Sequence, residues 1–162
     1  MPRLLVVHHS PTQSLRRLTD AVVSGANDPE IEGVEVVVRP ALEATADDVL
    51  AADGYVLGTS ANFGYMSGAL KHFFDSTFLA VGGALDPSGG AGESAGETAK
   101  RPYGLYVHGR YDTTGAIRSV QSIVGALGWA QGYDILDVLG DVEDTHIEAA
   151  YELGATLAAV LD

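Results

Sequence analysis

The sequence contains no cysteine, and that absence removes thiol nucleophiles, disulfide frameworks and thiolate-held iron-sulfur clusters together. Basic residues are scarce: 9 lysines and arginines stand against 22 aspartates and glutamates, a formal net charge of -13. Nucleic-acid binding draws affinity from neutralising phosphates with basic side chains, so this field argues against a nucleic-acid partner. It suits a basic protein partner, and equally plain solubility. Long apolar runs are missing too. The opening MPRLLVVHH is too short in apolar residues for a signal peptide or a membrane span, which predicts no membrane insertion and a cytoplasmic protein.

What is present is an alternation of apolar runs and amphipathic stretches in a chain of 162 residues, one ordinary domain over 1–162. Leu4 to Val7 form a continuous apolar run expected to be a central strand, and a helix follows with Leu15, Leu18, Val22 and Ala26 on one stripe. Val34 to Val38 form a β-branched strand between Gly33 and Pro40, and a short helix over Asp47 to Leu50 leads into a strand over 54–58. Gly58 to Tyr65 read as a loop and Ser67 onward as a helix. Residues 82–99, rich in glycine and alanine, read as an exposed loop, an active-site lid or a disordered insertion, with a linker between domains as the competing reading. Tyr103 to Val107 give the fourth strand, a helix capped by Thr113 or Thr114 runs to about Leu127, and Tyr133 to Val138 give the fifth strand. The last helix is expected to start at an Asp141 N-cap with Asp144 three residues on, burying Ile147, Ala150, Tyr151, Leu153, Leu157 and Val160. Five strands with intervening helices predict a three-layer α/β/α sandwich around a five-stranded parallel sheet of order 2-1-3-4-5.

The stretch GTSANFGYMSGALKHFFD from Gly58 carries the most specific signal. It resembles the flavodoxin-like superfamily, and within it the NAD(P)H-dependent FMN reductases and WrbA-type quinone reductases. Their pattern runs Gly-Thr, a short variable turn, Gly, a variable residue, Met, Ser, Gly, then a helix with lysine, phenylalanine and aspartate. The resemblance covers nearly the whole chain except 82–99. It implies FMN as cofactor, with the flavin ring against Thr59, Ser60, Ala61, Asn62, Phe63, Gly64 and Tyr65. The residue types suit a flat ring with a polar rim: Gly64 admits close backbone approach, and peptide groups from Ser60 to Phe63 can face the rim. In the competing reading Phe63 and Met66 close the core under a tight turn.

Phosphate binds well at a helix N-terminus, where unpaired N–H groups converge, and Ser10, Thr12, Gln13 and Ser14 occupy that position ahead of the first helix. Flavodoxins show Ser/Thr-x-Thr-Gly-x-Thr there; this chain keeps Ser10 and Thr12 and has Gln13 for the glycine and Leu15 for the last threonine. Ser14 as an ordinary helix cap is the alternative. A further wall is expected from His108, Gly109, Arg110, Tyr111 and Asp112, with Arg110 either beside the ring or paired with Asp112. No HExxH or ordered carboxylate cluster accompanies His8, His9 and His108, so a zinc site is not expected.

These features imply an oxidoreductase in which NADH or NADPH reduces FMN and a quinone or other small acceptor is then reduced. An electron carrier that docks with a redox protein and a cofactor-free interaction protein of the same fold are the alternatives. A homodimer is a further expectation, supported by Phe73, Phe74, Phe78 and Trp129 if they are exposed and not core.

Overall fold

The computed structural model describes residues 1–90 and 96–162, so 91–95 of the predicted glycine-rich loop lie outside the described residues. In chain order the elements are β1 Arg3–His8, α1 Gln13–Ala26, β2 Glu35–Pro40, α2 Ala46–Ala51, β3 Gly54–Asn62, β4 Tyr65–Met66, α3 Gly68–Thr77, β5 Pro102–Gly109, α4 Thr114–Ala126, β6 Ala130–Gln131, β7 Leu136–Leu139 and α5 Asp144–Ala159. The parallel sheet runs β2-β1-β3-β5, and β6 and β7 share the fifth position. β6 pairs with the start of β5 (Pro102 opposite Ala130) and β7 with its end (Gly109 opposite Leu139). The expected order 2-1-3-4-5 is therefore realised with a divided last strand. That strand was expected over 133–138; it is broken at 132–135 and extends to Leu139.

The apolar runs are continuous because helices cover both faces of the sheet. Leu5, Val7, Tyr55, Leu57, Leu105 and Val107 pack with Leu70, Phe73, Phe74 and Val120 on one side. The alternate residues Leu4, Val6, Val56 and Tyr106 pack with Leu15, Leu18, Val22, Leu153 and Leu157 on the other. On that second side α1 and α5 meet backbone to backbone: a Cβ on Gly25 would lie 2.0 Å from Tyr151 O, and one on Gly154 1.9 Å from Val22 O. Phe73, Phe74 and Trp129 are buried, and Phe78 is half-buried against the core. Phe73, Phe74 and Trp129 therefore serve the core, and of the four only Phe78 keeps partial exposure.

Several element boundaries differ from expectation for local reasons. β3 continues through Asn62 because backbone pairing with β5 as far as Ser60 opposite His108 needs no apolar side chains. Thr113 is the N-cap residue of α4 but its side chain makes no cap bond; Asp112 Oδ1 accepts from Thr114 N at 3.0 Å instead. α5 is capped at Glu143, with His146 Nδ1 accepting from Glu143 N at 2.9 Å, because Asp141 is held elsewhere by Arg110. Val160 lies just past that helix and is exposed.

At the N-terminal edge of the sheet the chain is tightly pinned. Arg101 Nη1 donates to the carbonyls of Leu50 and Ala52 at 3.1 and 2.7 Å, closing the C-terminus of α2, and to Tyr55 Oη at 3.1 Å. Trp129 Nε1 donates to Thr98 Oγ1, which donates to Val81 O. Gly82 and Gly96 touch, since a Cβ on Gly82 would lie 2.7 Å from Gly96 Cα. The glycine-rich loop is thus closed at its base, at the edge where β5 begins. The described flanks of this loop are rooted at the start of β5, the opposite end of the strand from Gly109; the lid reading falls in part on 91–95, outside the described residues. No helix among the described residues is long and apolar enough to cross a membrane.

Candidate functional site

At the carboxyl ends of β3 and β5 lies a cleft of about 650 Å³, built from the start of α1, the β3–β4 hairpin and the segment after β5. The order β2-β1-β3 makes this the switch point of the sheet, where open parallel sheets place ligands. Thr12 and Leu15 form one side, Ser60 to Gly64 the second, and His108 to Asp112 the third.

The hairpin is the least ordinary piece of backbone. Asn62 pairs with Tyr65 and Ala61 with Met66, leaving Phe63 and Gly64 as the two turn residues, at φ 52° and 79°. Two positive φ values define the turn that suits the right-handed twist of a hairpin, and glycine or asparagine normally occupies the first position. Phenylalanine there costs roughly 1–2 kcal/mol in the left-handed region. Its ring recovers nothing by burial, because Phe63 is fully exposed while Met66 enters the core. Only Met66 therefore fulfils the core-closing reading. The turn is braced from below, since a Cβ on Gly115 in α4 would lie 1.9 Å from Gly64 O. Thr59 turns away from the cleft: its hydroxyl accepts from Ser67 N at 2.9 Å and donates to Ser60 O at 2.8 Å, stapling the hairpin to α3. Tyr65 is half-exposed and does not line the cleft.

On the first side, Thr12 is the N-cap of α1, accepting from Leu15 N at 3.2 Å, so it and not Ser14 closes the helix. Gln13 and Ser14 supply early backbone N–H groups of the helix, which have no intrahelical partner, but their side chains do not line the cleft. Ser10 is turned inward. Its hydroxyl lies 2.8 Å from His8 Nδ1 and 2.7 Å from Thr19 Oγ1, and Thr19 Oγ1 lies 2.6 Å from the hydroxyl of the fully buried Tyr106. Burial pushes the Tyr106 phenol up, so it stays protonated and needs an acceptor. The chain then runs in one direction, Tyr106 to Thr19 to Ser10 to His8 Nδ1, which requires a neutral His8. Burial, aided by His9 and opposed by Asp20, lowers the His8 pKa in the same sense. Ser10 has no donor left for a ligand.

On the third side, His108 Nε2 lies 2.7 Å from Gly140 O and, facing a carbonyl, must carry the proton. Gly140 N donates back to Gly109 O at 2.8 Å, so the loop after β7 is clamped to the end of β5. Arg110 pairs with Asp141 at 2.7 Å and not with Asp112. Asp112 caps α4, and the hydrogen bonds from Thr114, the backbone one first, hold its carboxyl below the usual range. Tyr111 is almost wholly exposed, at 94%, the counterpart of Phe63 on the other lip. Gly109 is held between neighbours, with Ala61 Cβ 2.9 Å from where its own Cβ would stand.

Asp112 lines the cleft as expected of the third wall, and Leu15 lines it although nothing in the sequence marks it as a site residue. Leu15 read as core from its helical stripe, and it is both. The arrangement offers an apolar slot with an aromatic on each lip, a helix N-terminus at one end and one buried hydroxyl, Ser60 Oγ, without a hydrogen-bond partner. Chemically, such a slot is compatible with a flat ligand that carries an anionic tail.

No protein-family model matches the chain. It is similar to a flavodoxin of Aquifex aeolicus, 35% identical over 86 residues that make up 53% of this chain and 45% of that protein. It is also similar to an NAD(P)H dehydrogenase (quinone) of Acidithiobacillus ferrooxidans, 30% identical over an alignment of 97 positions covering 48% of each chain. The matches span about half the length of these relatives. Among solved structures, an archaeal flavodoxin superposes with a TM-score of 0.77 at 16% identity over 98% of both chains. The fold is that of the flavodoxin-like sandwiches.

Proposed function

We propose that this chain binds FMN non-covalently and acts as an NAD(P)H-dependent oxidoreductase that passes electrons to a quinone or another small acceptor. The observation that carries the reading is Phe63, held in a left-handed turn with its ring fully exposed beside the cleft. Strained, solvent-facing aromatics are retained where the strain serves a site. The site also fits the cofactor's chemistry: an apolar slot for the ring, early N–H groups of α1 for the phosphate, and an unsatisfied hydroxyl at Ser60 between them.

When bound, FMN supplies the hydride and electron chemistry. The protein's own part is positional. Phe63 and Tyr111 would flank the ring, Gly64 and Gly109 would let backbone approach it, and Thr12 with the first turn of α1 would anchor the anionic end. Arg110, exposed and shared with Asp141, places positive charge at the lip nearest Tyr111.

The similarity to an NAD(P)H dehydrogenase (quinone) supports the enzymatic form of the reading. A carrier that docks with a redox protein is the second reading. It is favoured by the likeness to flavodoxins and by the net charge of -13, which steers a basic partner. The deciding experiment is anaerobic stopped-flow absorbance on the FMN-loaded protein. The enzyme bleaches with NADH or NADPH and is reoxidised by a quinone over repeated cycles. The carrier ignores both nucleotides and accepts electrons from a separate reductase at a rate that falls with salt. Absence of any flavin spectral change on mixing folded protein with FMN overturns both.

A further inference from the structure

Ser60 is a poor choice for the fold and a good one for a ligand. Its Oγ is buried with no hydrogen-bond partner, although the residue lines the cleft. A buried hydroxyl without a partner is destabilising relative to alanine, so the free protein bears a cost that only an incoming group can offset. Alternation along β3 puts Ser60 on the same face as Gly58. That face is the one toward α1, because Tyr106 fills the space over Gly58 and its hydroxyl reaches Thr19. His108 is the register partner of Ser60 and shares the face with Tyr106, two residues earlier. Both are more than nine-tenths buried, with exposures of 7% for Ser60 and 8% for His108. Because Nε2–H of His108 is committed to Gly140 O, a neutral ring keeps Nδ1 as an acceptor.

The pair stands between the start of α1, where Thr12 and Leu15 line the cleft, and the aromatic lips Phe63 and Tyr111. A ligand that spans from helix N-terminus to lips must cross it. What crosses must carry hydroxyl groups, for Ser60 both donates and accepts once its side chain turns into the cleft, and His108 Nδ1 accepts.

We propose that Ser60 and His108 form a subsite that reads the hydroxylated chain joining a flavin's ring to its phosphate, and that Ser60 is retained for this at the expense of stability. The proposal rests on the FMN reading above. Three ligands separate the parts: FMN, riboflavin without the phosphate, and lumiflavin, which has the ring alone. Each is titrated calorimetrically into the wild-type protein and Ser60→Ala, and each protein is also melted without ligand. The variant should melt a few degrees higher, bind FMN and riboflavin about tenfold more weakly, and bind lumiflavin as the wild type does. The ¹⁵N resonance of His108 Nδ1 should move with riboflavin and not with lumiflavin. Equal loss for riboflavin and lumiflavin, no loss, a lower melting point, or an unmoved His108 resonance overturns the subsite while leaving FMN binding standing. Failure of the wild type to bind any of the three overturns the FMN reading, and the subsite with it.

Discussion

Trp129 lies flat on Tyr55, with ring centroids 3.9 Å apart and planes 14° from parallel. The pair sits where β6 meets the start of β5, so the protein's one tryptophan is roughly 23 Å from the cleft at about 3.3 Å per strand residue. Its emission should report folding of the pinned edge. Arg101→Ala removes the cation that holds the carbonyls of Val49, Leu50 and Ala52 at the end of α2 and the Tyr55 hydroxyl, and should destabilise the protein by about 2 kcal/mol. Urea unfolding followed at Trp129 measures this, and FMN affinity should stay within twofold of wild type.

Phe63→Gly relieves the left-handed strain and should raise stability by about 1 kcal/mol, while removing one aromatic lip. Flavin binding should weaken at least tenfold on the loss of a stacked aromatic contact. Denaturant midpoints and flavin titrations, done on the same preparation, check the opposing signs.

Thr12→Ala removes the N-cap of α1 and should cost about 1 kcal/mol of stability. If the start of α1 anchors phosphate, FMN affinity falls more than riboflavin affinity. Equal losses would assign Thr12 to capping alone.

The hydroxyl chain ending at His8 sets a pH dependence. The folded-state pKa of His8 is lowered from its ordinary value of 6.5, so below that value the unfolded chain binds the extra proton first. Its contribution to stability is present above pH 6.5 and is lost as pH falls toward the lowered folded value. Protonated Nδ1 would reverse the chain and leave the Tyr106 hydroxyl hydrogen without an acceptor. Chemical denaturation at intervals over about two pH units around the ordinary histidine value should show a slope that His8→Gln removes.

The sandwich was legible because Leu4 to Val7 and Tyr103 to Val107 are apolar at every position, the mark of strands covered on both faces. The continuation of β3 was not, because Gly58 to Asn62 join the ladder through backbone bonds that leave no apolar pattern. The three loops of the cleft were placed together from sequence, but hydroxyl direction was not. Ser10 answers to Thr19 and through it to Tyr106, and Thr59 answers to Ser67; such pairings are set by tertiary contact and have no local signature. Phe63 and Phe73 differ in the same way, one standing on a strained turn and the other on the buried side of a helix.

The contact between Gly82 and Gly96 separates chain length from architecture. Because the two ends of the intervening segment already meet, lengthening or exchanging that segment adds little closure entropy and pulls on neither flank. The far edge of the sheet is therefore a natural port for grafted sequence, where a reporter domain can be carried without the cleft registering its presence.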